Sequence, residues 1–599
     1  MASANQAGET PRGEYPRPQF TRQDWLCLNG RWQFEIDFGD SGIERGVRDR
    51  ELTGAITVPF CPESELSGVG NVDFLNAVWY RRDVAIPAAW EGRTVLLHFQ
   101  AVDYDATVWV NGVEVARHRG GFSPFTCDLG GVAGPGTKAT IVVRARDLKG
   151  RAKPGGKQST SYANRGCHYT RTTGIWQSVW MEPVNAAHMR RPRLTPDVGN
   201  GTITVDVPLG GRRPAMVVRA RLSDGDGECA AAEVAVRDFS PRLVLTIPEG
   251  KRRPWSIEDP HLYDIALELV DADGTVLDSA ETYAGLRSIT IDGKKVLING
   301  ESVFQRLVLD QGYYPDGILT APSDEALKKD IELSMAAGFN GARLHQKVFE
   351  ERFLYHADKM GYLVWGEFAD WGIDRSSPEA TYVTQWLEVL ERDYSHPSIV
   401  GWCPLNETAQ PIPDEIPGLD DVTKAMFLAT KAMDTTRPVL DTSGYSHRVS
   451  VADVYDCHDY QQDPAKFKEN QAGLADGKPF TNGPADRPWS IHYRGQPYFV
   501  SEFGGIWWNA ELAAAAAAQK GGRQDSWGYG ERVKDLEEFY VRFEGLCGVL
   551  LDDPDMFAYC YTQLTDVYQE QNGIYHFDRS PKFDMARINA AQTKKAAIE

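Results

Sequence analysis

The chain has 599 residues, 42% of them hydrophobic and 11% aromatic, which is enough apolar material for several cores in more than one domain. A formal net charge of −20 argues against a surface that tracks nucleic-acid phosphates and against an anionic membrane face, and no apolar run of about 18 residues offers a membrane-spanning helix. Nine cysteines, an odd number without CxxC or HExxH spacing, argue against a disulfide framework and a zinc site and read as reduced thiols. The first ten residues lack the apolar core of a signal peptide, so a cytoplasmic location is expected.

From about residue 20 to 183, alternating runs broken by turn residues predict a β-sandwich. Its clearest unit is 106–118, two alternating strands around Asn111-Gly112, a pair that supplies positive φ angles for a tight hairpin turn. Residues 185–284 carry shorter alternating runs, as at 202–207 and 263–270, which suit a small immunoglobulin-like sandwich acting as a spacer. After Gly285-Leu286-Arg287 the rhythm becomes strand, helix, strand, helix, the signature of a parallel sheet with right-handed crossovers. Candidate strands at 303–310, 339–345, 362–368, 399–407, 438–442, 454–460, 498–503 and 556–563 predict a TIM barrel, with helices at 323–333, 348–360 and 382–394 between them. An alanine tract at 513–518, between Trp507-Trp508 and Gly521-Gly522, predicts a short helix in a long loop over the barrel. The expected domains are 1–184, 185–284 and 285–599.

Two barrel segments end on carboxylates. In His396-Pro397-Ser398-Ile399-Val400-Gly401-Trp402-Cys403-Pro404-Leu405-Asn406-Glu407 an apolar run stops on an amide and an acid, and in Pro497-Tyr498-Phe499-Val500-Ser501-Glu502-Phe503-Gly504-Gly505 a strand ends on an acid followed by glycines. As the fourth and seventh strands they would deliver Glu407 and Glu502 to the C-terminal face, where barrel enzymes keep their chemistry. Two facing carboxylates about 5–5.5 Å apart are what retaining cleavage of a glycosidic bond requires.

These two segments resemble glycoside hydrolase family 2. The stretches 78–82, 101–104, 106–118 and 174–180 resemble that family's jelly-roll sugar-binding domain, and 254–263 its route into the last strands of the immunoglobulin-like domain. The resemblance implies Glu407 as acid/base, Glu502 as nucleophile, Arg343 as the guanidinium that keeps Glu502 ionised, and Asn406 as a ligand of the sugar 2-hydroxyl. It also implies His458, Asp459 and Tyr460 as a segment near the nucleophile. His345, Asp310 and Asp566 are further candidates for sugar contact, while Trp365, Glu367, Trp371 and Tyr561 either face a sugar ring or fill the barrel top. The chemistry needs no cofactor, no metal-ligand cluster stands out, and homo-oligomers are common among such multidomain hydrolases.

Substrate is read from departures. Leu309-Asp310-Gln311-Gly312 stands where the family's β-galactosidases carry Asn and His, and Arg343-Leu344-His345-Gln346 where Arg-x-x-His-Tyr-Pro is common. Residues 566–573 replace the Asn-x-Lys pattern of β-glucuronidases. An acidic pocket of Asp310 and Asp566 would disfavour a uronic acid, so the expectation is an exo-acting, β-galactosidase-like enzyme that removes a neutral sugar from a glycoside or oligosaccharide. The alternatives are a furanosidase acting on β-galactofuranosides or α-L-arabinofuranosides, a β-glucuronidase, a β-mannosidase, and, in a different class, a carbohydrate-binding protein without catalysis. Retention of Asn406, Glu407, Glu502 and Arg343 together argues against the last.

Overall fold

The computed structural model describes residues 10–211, 215–225, 227–517 and 526–599. Alternation along Ala77–Ala85 and Lys138–Arg146 turns Val78, Tyr80 and Val84, and Ala139, Ile141 and Val143, into one buried face, and the two strands pair antiparallel from Ala77 opposite Arg146 to Ala85 opposite Lys138. They sit at the centre of a six-stranded sheet, flanked by Gly54–Val58 and Gly30–Ile36 on one side and Asp105–Val110 and Val113–Arg119 on the other. The last two strands form the expected hairpin, with positive φ at both Asn111 and Gly112. A four-stranded sheet of Leu26–Cys27, Val179–Val184, Thr94–Phe99 and Phe125–Asp128 shares a core with it, giving the N-terminal β-sandwich.

A second sandwich follows, with a three-stranded sheet (Arg193–Asp197, Thr202–Asp206, Arg242–Thr246) and a four-stranded one (Glu228–Ala235, Val217–Ser223, Tyr263–Val270, Val276–Ala284) around Ile203, Val205, Val218, Leu222, Leu245 and Leu267. The C-terminal part is a curled parallel sheet of seven strands in the order Ile399–Cys403, Leu363–Glu367, Gly341–Leu344, Gln305–Asp310, Met556–Thr562, Tyr498–Gly504 and Tyr455–Asp459. Seven of the eight expected strands are present.

The exception is 438–442. Pro438 has no N–H to give to a ladder, and the segment is held by isolated parallel bridges from Val439 to Trp402 and from Ser443 to Asn406. Its backbone still closes that side of the barrel: Leu440 N–H donates to Trp402 O at 3.0 Å, Ser443 N–H to Leu405 O at 2.8 Å, and Glu407 N–H to Ser443 O at 2.9 Å.

Helices cover the sheet. In Asp324–Ala336 the Ser323 hydroxyl caps the first turn by accepting from the Ala326 N–H at 3.2 Å, and Leu327 and Ile331 are buried against the sheet side. The alanine tract forms the helix Ala510–Ala517; position 518 and Gly521-Gly522 lie outside the described residues, as do residues 1–9, on which the leader reading rested. No helix among the described residues is long and apolar enough to cross a membrane. All nine cysteines are unpaired, six of them buried.

Candidate active site

Side chains alternate along a strand, so each barrel strand aims every second residue into the interior. Arg343, Glu367, His458 and Glu502 come in this way at the C-terminal ends of four strands, and Tyr460 continues the phase of His458. Glu407 lies beyond its strand end at Cys403, in a left-handed conformation (φ 49°) fixed by its N–H bond to Ser443. Carboxylate oxygens of Glu407 and Glu502 and a ring nitrogen of His458 lie within 4.8 Å of one another. That gap belongs with the retaining separation of about 5–5.5 Å and is too short for the about 6.5–9.5 Å of inverting enzymes.

The two carboxylates are held differently. Glu502 is buried; its Oε1 accepts from the Arg343 guanidinium, its Oε2 accepts from the Tyr460 hydroxyl at 2.5 Å, and His458 Nδ1 stands 3.4 Å from Oε2. Burial alone would push the Glu502 carboxyl up, but His458, Arg343, His345 and Lys157 together outweigh it and hold the group well below the usual carboxylate range. Glu407 is half-buried, and its Oε1 lies 2.9 Å from His458 Nδ1. Burial lowers the pKa of His458, while the Glu502 and Glu407 carboxylates reverse that and raise it.

Arg343 organises the floor. It is fully buried, reaches Glu367 Oε2 at 3.3 Å, and donates to Asn406 Oδ1 at 3.4 Å and to the Ser443 hydroxyl. Burial raises Glu367 to about 7 against the pull of Arg343, and His345 Nδ1 lies 3.0 Å from Glu367 Oε1. Burial also drives His345 well below its ordinary range, with Lys157 adding to the effect. Asn406 Nδ2 is buried without a hydrogen-bond partner among the described residues, a donor left free on the ring of groups around the carboxylate pair.

Five expected site residues are elsewhere. Asp459 faces away from the barrel axis, its carboxylate accepting from Gln461 N–H (3.0 Å), Asn470 Nδ2 (3.0 Å) and Gln471 Nε2 (2.9 Å). Asp310 caps its own turn by accepting from Gly312 N–H at 2.9 Å. Trp365 lies inside the barrel one layer below Glu367, donating to Gln305 Oε1 at 2.8 Å and packing on Phe499. Tyr561 packs outward between Phe503 and Phe543. Asp566 is taken by Lys582 Nζ at 2.6 Å and Gly573 N–H at 2.8 Å. The acidic pocket of Asp310 and Asp566 therefore does not form.

Other groups reach the site without having stood out in the sequence. The Ser443 hydroxyl links Asp456 Oδ2 (3.1 Å), His458 Nε2 (3.0 Å) and Ser501 Oγ (3.2 Å), and Tyr529 stacks on Tyr460 with 3.4 Å between centroids. Tyr445 lies edge-on to His458 at 5.6 Å; they are joined by Trp371, which the sequence did offer and which donates through Nε1 to Asn406 O at 3.3 Å. Lys157 comes from the N-terminal sandwich and is buried beside Trp371. Glu407, His458 and Glu502 also have the spacing of a cation site. The Arg343 guanidinium already supplies positive charge to Glu502, and we assign no metal there.

Three family models match in succession: glycosyl hydrolases family 2, sugar binding domain, over residues 26–180; glycosyl hydrolases family 2 over 187–287; and glycosyl hydrolases family 2, TIM barrel domain, over 289–481. A beta-glucuronidase of Paenibacillus borealis is 26% identical over 458 residues, covering 71% of this chain and 74% of its own. A beta-galactosidase of Thermoanaerobacter pseudethanolicus is 23% identical over 398 residues, covering 65% and 51%. Among solved structures, the apo b-glucuronidase of Ruminococcus gnavus superposes with a TM-score of 0.76 at 19% identity, over 97% of this chain and 100% of that one. The beta-glucuronidase of Lactobacillus rhamnosus gives 0.76 at 21% identity, over 96% and 97%. With its sugar-binding sandwich, immunoglobulin-like domain and TIM barrel, the chain belongs to glycoside hydrolase family 2.

Proposed function

We propose that this glycoside hydrolase is a retaining, exo-acting β-glucuronidase. The observation that carries the reaction type is the placing of Glu407 and Glu502 within 4.8 Å of each other in unlike surroundings, one in the grip of Arg343 and Tyr460, the other at the half-open rim. Glu502, held as an anion, attacks the anomeric carbon while Glu407 gives a proton to the departing glycosidic oxygen; the product is a glycosyl ester on Glu502. Esterification removes the negative charge that His458 and Arg343 were facing. Glu407, now a carboxylate, takes a proton from water, whose oxygen attacks the same carbon and frees Glu502. The free Asn406 amide is placed to donate to the sugar 2-hydroxyl as charge develops on the ring.

The glycone reading is supported by the relatives named beta-glucuronidase and by the loss of the argument against a uronic acid, since neither Asp310 nor Asp566 faces the carboxylate pair. The test is hydrolysis of 4-nitrophenyl β-D-glucuronide, β-D-galactopyranoside, β-D-galactofuranoside, α-L-arabinofuranoside and β-D-mannoside by wild type and Glu502→Gln in parallel. The glucuronide should be preferred, and the variant should lose at least about 10³-fold in kcat. Preference for the galactopyranoside would return the reading to a β-galactosidase, and silence on the whole panel by a folded protein would favour a carbohydrate-binding role.

A further inference from the structure

The N-terminal sandwich does more than flank the barrel. Its loop from Lys153 to Lys157 is zipped to the barrel loop after Glu367: Lys153 N–H donates to Gly372 O at 3.0 Å, Gly155 N–H to Trp371 O at 2.9 Å, and Gly156 N–H to Ala369 O at 3.2 Å. Gly156 has a φ of +58°, and a Cβ there would stand 2.0 Å from Gln346 O, so only glycine lets the chain pass this close. Immediately after it comes Lys157, 6% exposed, anchored through its carbonyl by the Tyr169 N–H at 2.9 Å.

The Lys157 ammonium is unusual in what it lacks. Nζ makes no hydrogen bond and no ion pair with any described residue; it lies over the face of Trp371, with 5.4 Å between Nζ and the ring centroid, and Trp371 in turn touches Asn406. Burial alone would lower the pKa of this ammonium, but Glu570, Cys167, Glu502 and Glu407 outweigh that and raise it, so the group stays a cation among acids that do not bond it. The charged and titratable groups it faces are Glu570, Cys167, Glu502, Glu407, Glu367, His345 and His168. None of the acids bonds it, and each has another partner. Glu502 is committed to Arg343 and Tyr460, Glu367 to Arg343 and His345, Glu407 to His458, and Glu570 to the Tyr169 hydroxyl and to Asn572 Nδ2 at 3.1 Å.

We propose that Lys157 is the receptor for the carboxylate of the glycone, supplied by the N-terminal sandwich in a chain whose barrel lacks an Asn-x-Lys sequence in 566–573. The inference rests on the uronide reading and deepens it: the fixed positive charge that selects an acidic sugar comes from a different domain than the two carboxylates that cleave it. A neutral sugar in the same place would leave the ammonium unpaired, and the glycone preference follows from that difference.

The experiment uses the full-length protein and two substrates that differ only at C6, 4-nitrophenyl β-D-glucuronide and 4-nitrophenyl β-D-glucoside, with D-glucuronic acid and D-glucose as competitive inhibitors. Lys157→Gln should lower kcat/KM on the glucuronide at least about 30-fold more than on the glucoside, whose rate falls only through the weaker hold on Glu502, and should weaken D-glucuronic acid by a similar factor while D-glucose changes by less than about threefold. Lys157→Arg should keep most of the preference, because the charge stays. If Lys157→Gln does not fold, Lys157→Met, which keeps the alkyl stem against Trp371, takes its place. Equal losses on both substrates would overturn the proposal by showing that Lys157 acts through Glu502 or through packing, and so would an unchanged glucuronide rate. A wild type that prefers the glucoside would instead overturn the uronide reading itself, before any variant is made.

Discussion

The Tyr460 hydroxyl is the most informative single group to remove. It donates to Glu502 Oε2 at 2.5 Å, while the ring lies parallel to Tyr529, 3.4 Å away, so Tyr460→Phe deletes one hydrogen bond to a buried anion and leaves the stack in place. Hydrogen bonds to charged groups contribute about 1.5–3 kcal/mol, which for a carboxylate amounts to about one to two pH units and about 10- to 100-fold in rate. Glu502 is held well below the usual range in the folded protein, so its anion is present above that pKa and lost as pH falls through it. Losing the donor lifts the folded pKa, and the acid limb of kcat/KM should move to higher pH by that one to two units. The assay is a pH series of kcat/KM on the preferred aryl glycoside, with thermal melts alongside, in which the variant should melt lower than wild type at neutral pH, where the stabilisation of the anion is fully present, while still being folded at the assay temperature. A variant with wild-type kcat/KM and an unmoved acid limb would refute the view that Tyr460 helps to keep Glu502 ionised.

Glu407→Ala should slow substrates with poor leaving groups far more than 4-nitrophenyl glycosides, and azide should restore turnover by attacking the glycosyl ester; equal slowing of both substrate types would count against proton donation by Glu407. Asp310→Asn should leave kcat/KM within about twofold. Burial beside Asp330 raises Asp310 to about 7, so its favourable contribution is present below the unfolded aspartate range and lost as pH rises through about 7. The variant should therefore gain stability relative to wild type between pH 5 and 8, by at most about 4 kcal/mol in denaturant titrations, and a flat difference would show that the carboxyl is not perturbed. Gly156→Ala, which places a methyl 2.0 Å from Gln346 O, should lower the melting temperature and the glucuronide rate together; an unaffected variant would mean the loop can yield there without cost.

Strand–helix rhythm and carboxylate-ended strands made the barrel and the Glu407–Glu502 pair legible from residue order alone, because buried parallel strands are apolar runs that leave their polar residues at the ends. What was not separated there is phase. In Tyr455–Asp459 and its continuation, Asp456, His458 and Tyr460 point inward and Asp459 outward; in Gln305–Asp310, Gln305 meets Trp365 inside and Arg306 meets the C-terminal segment, which puts Asp310 on the outer side. In Met556–Thr562, Tyr559 bonds Gln592 outside and Thr562 meets Tyr460 inside, so Tyr561 belongs to the helix layer. A period of two would have sorted these from the start. Depth is a different matter: Trp365 and Glu367 share a phase, and only the stacking of interior layers tells the core tryptophan from the carboxylate above it. Lys157 was invisible for a third reason, since nothing local marks a loop lysine that becomes buried only when two domains meet.

The zipper between the loop at 153–157 and the barrel also sets a timetable. The loop is translated long before the strand that carries Glu502, and at about 5–20 residues per second the two are separated by tens of seconds on the ribosome. During that interval the sandwich can fold, but Lys157 has no Trp371 face to lie against and no pair of glutamates to look toward. Selectivity and cleavage thus arise at the same late moment, when the finished barrel docks, and a nascent chain has neither.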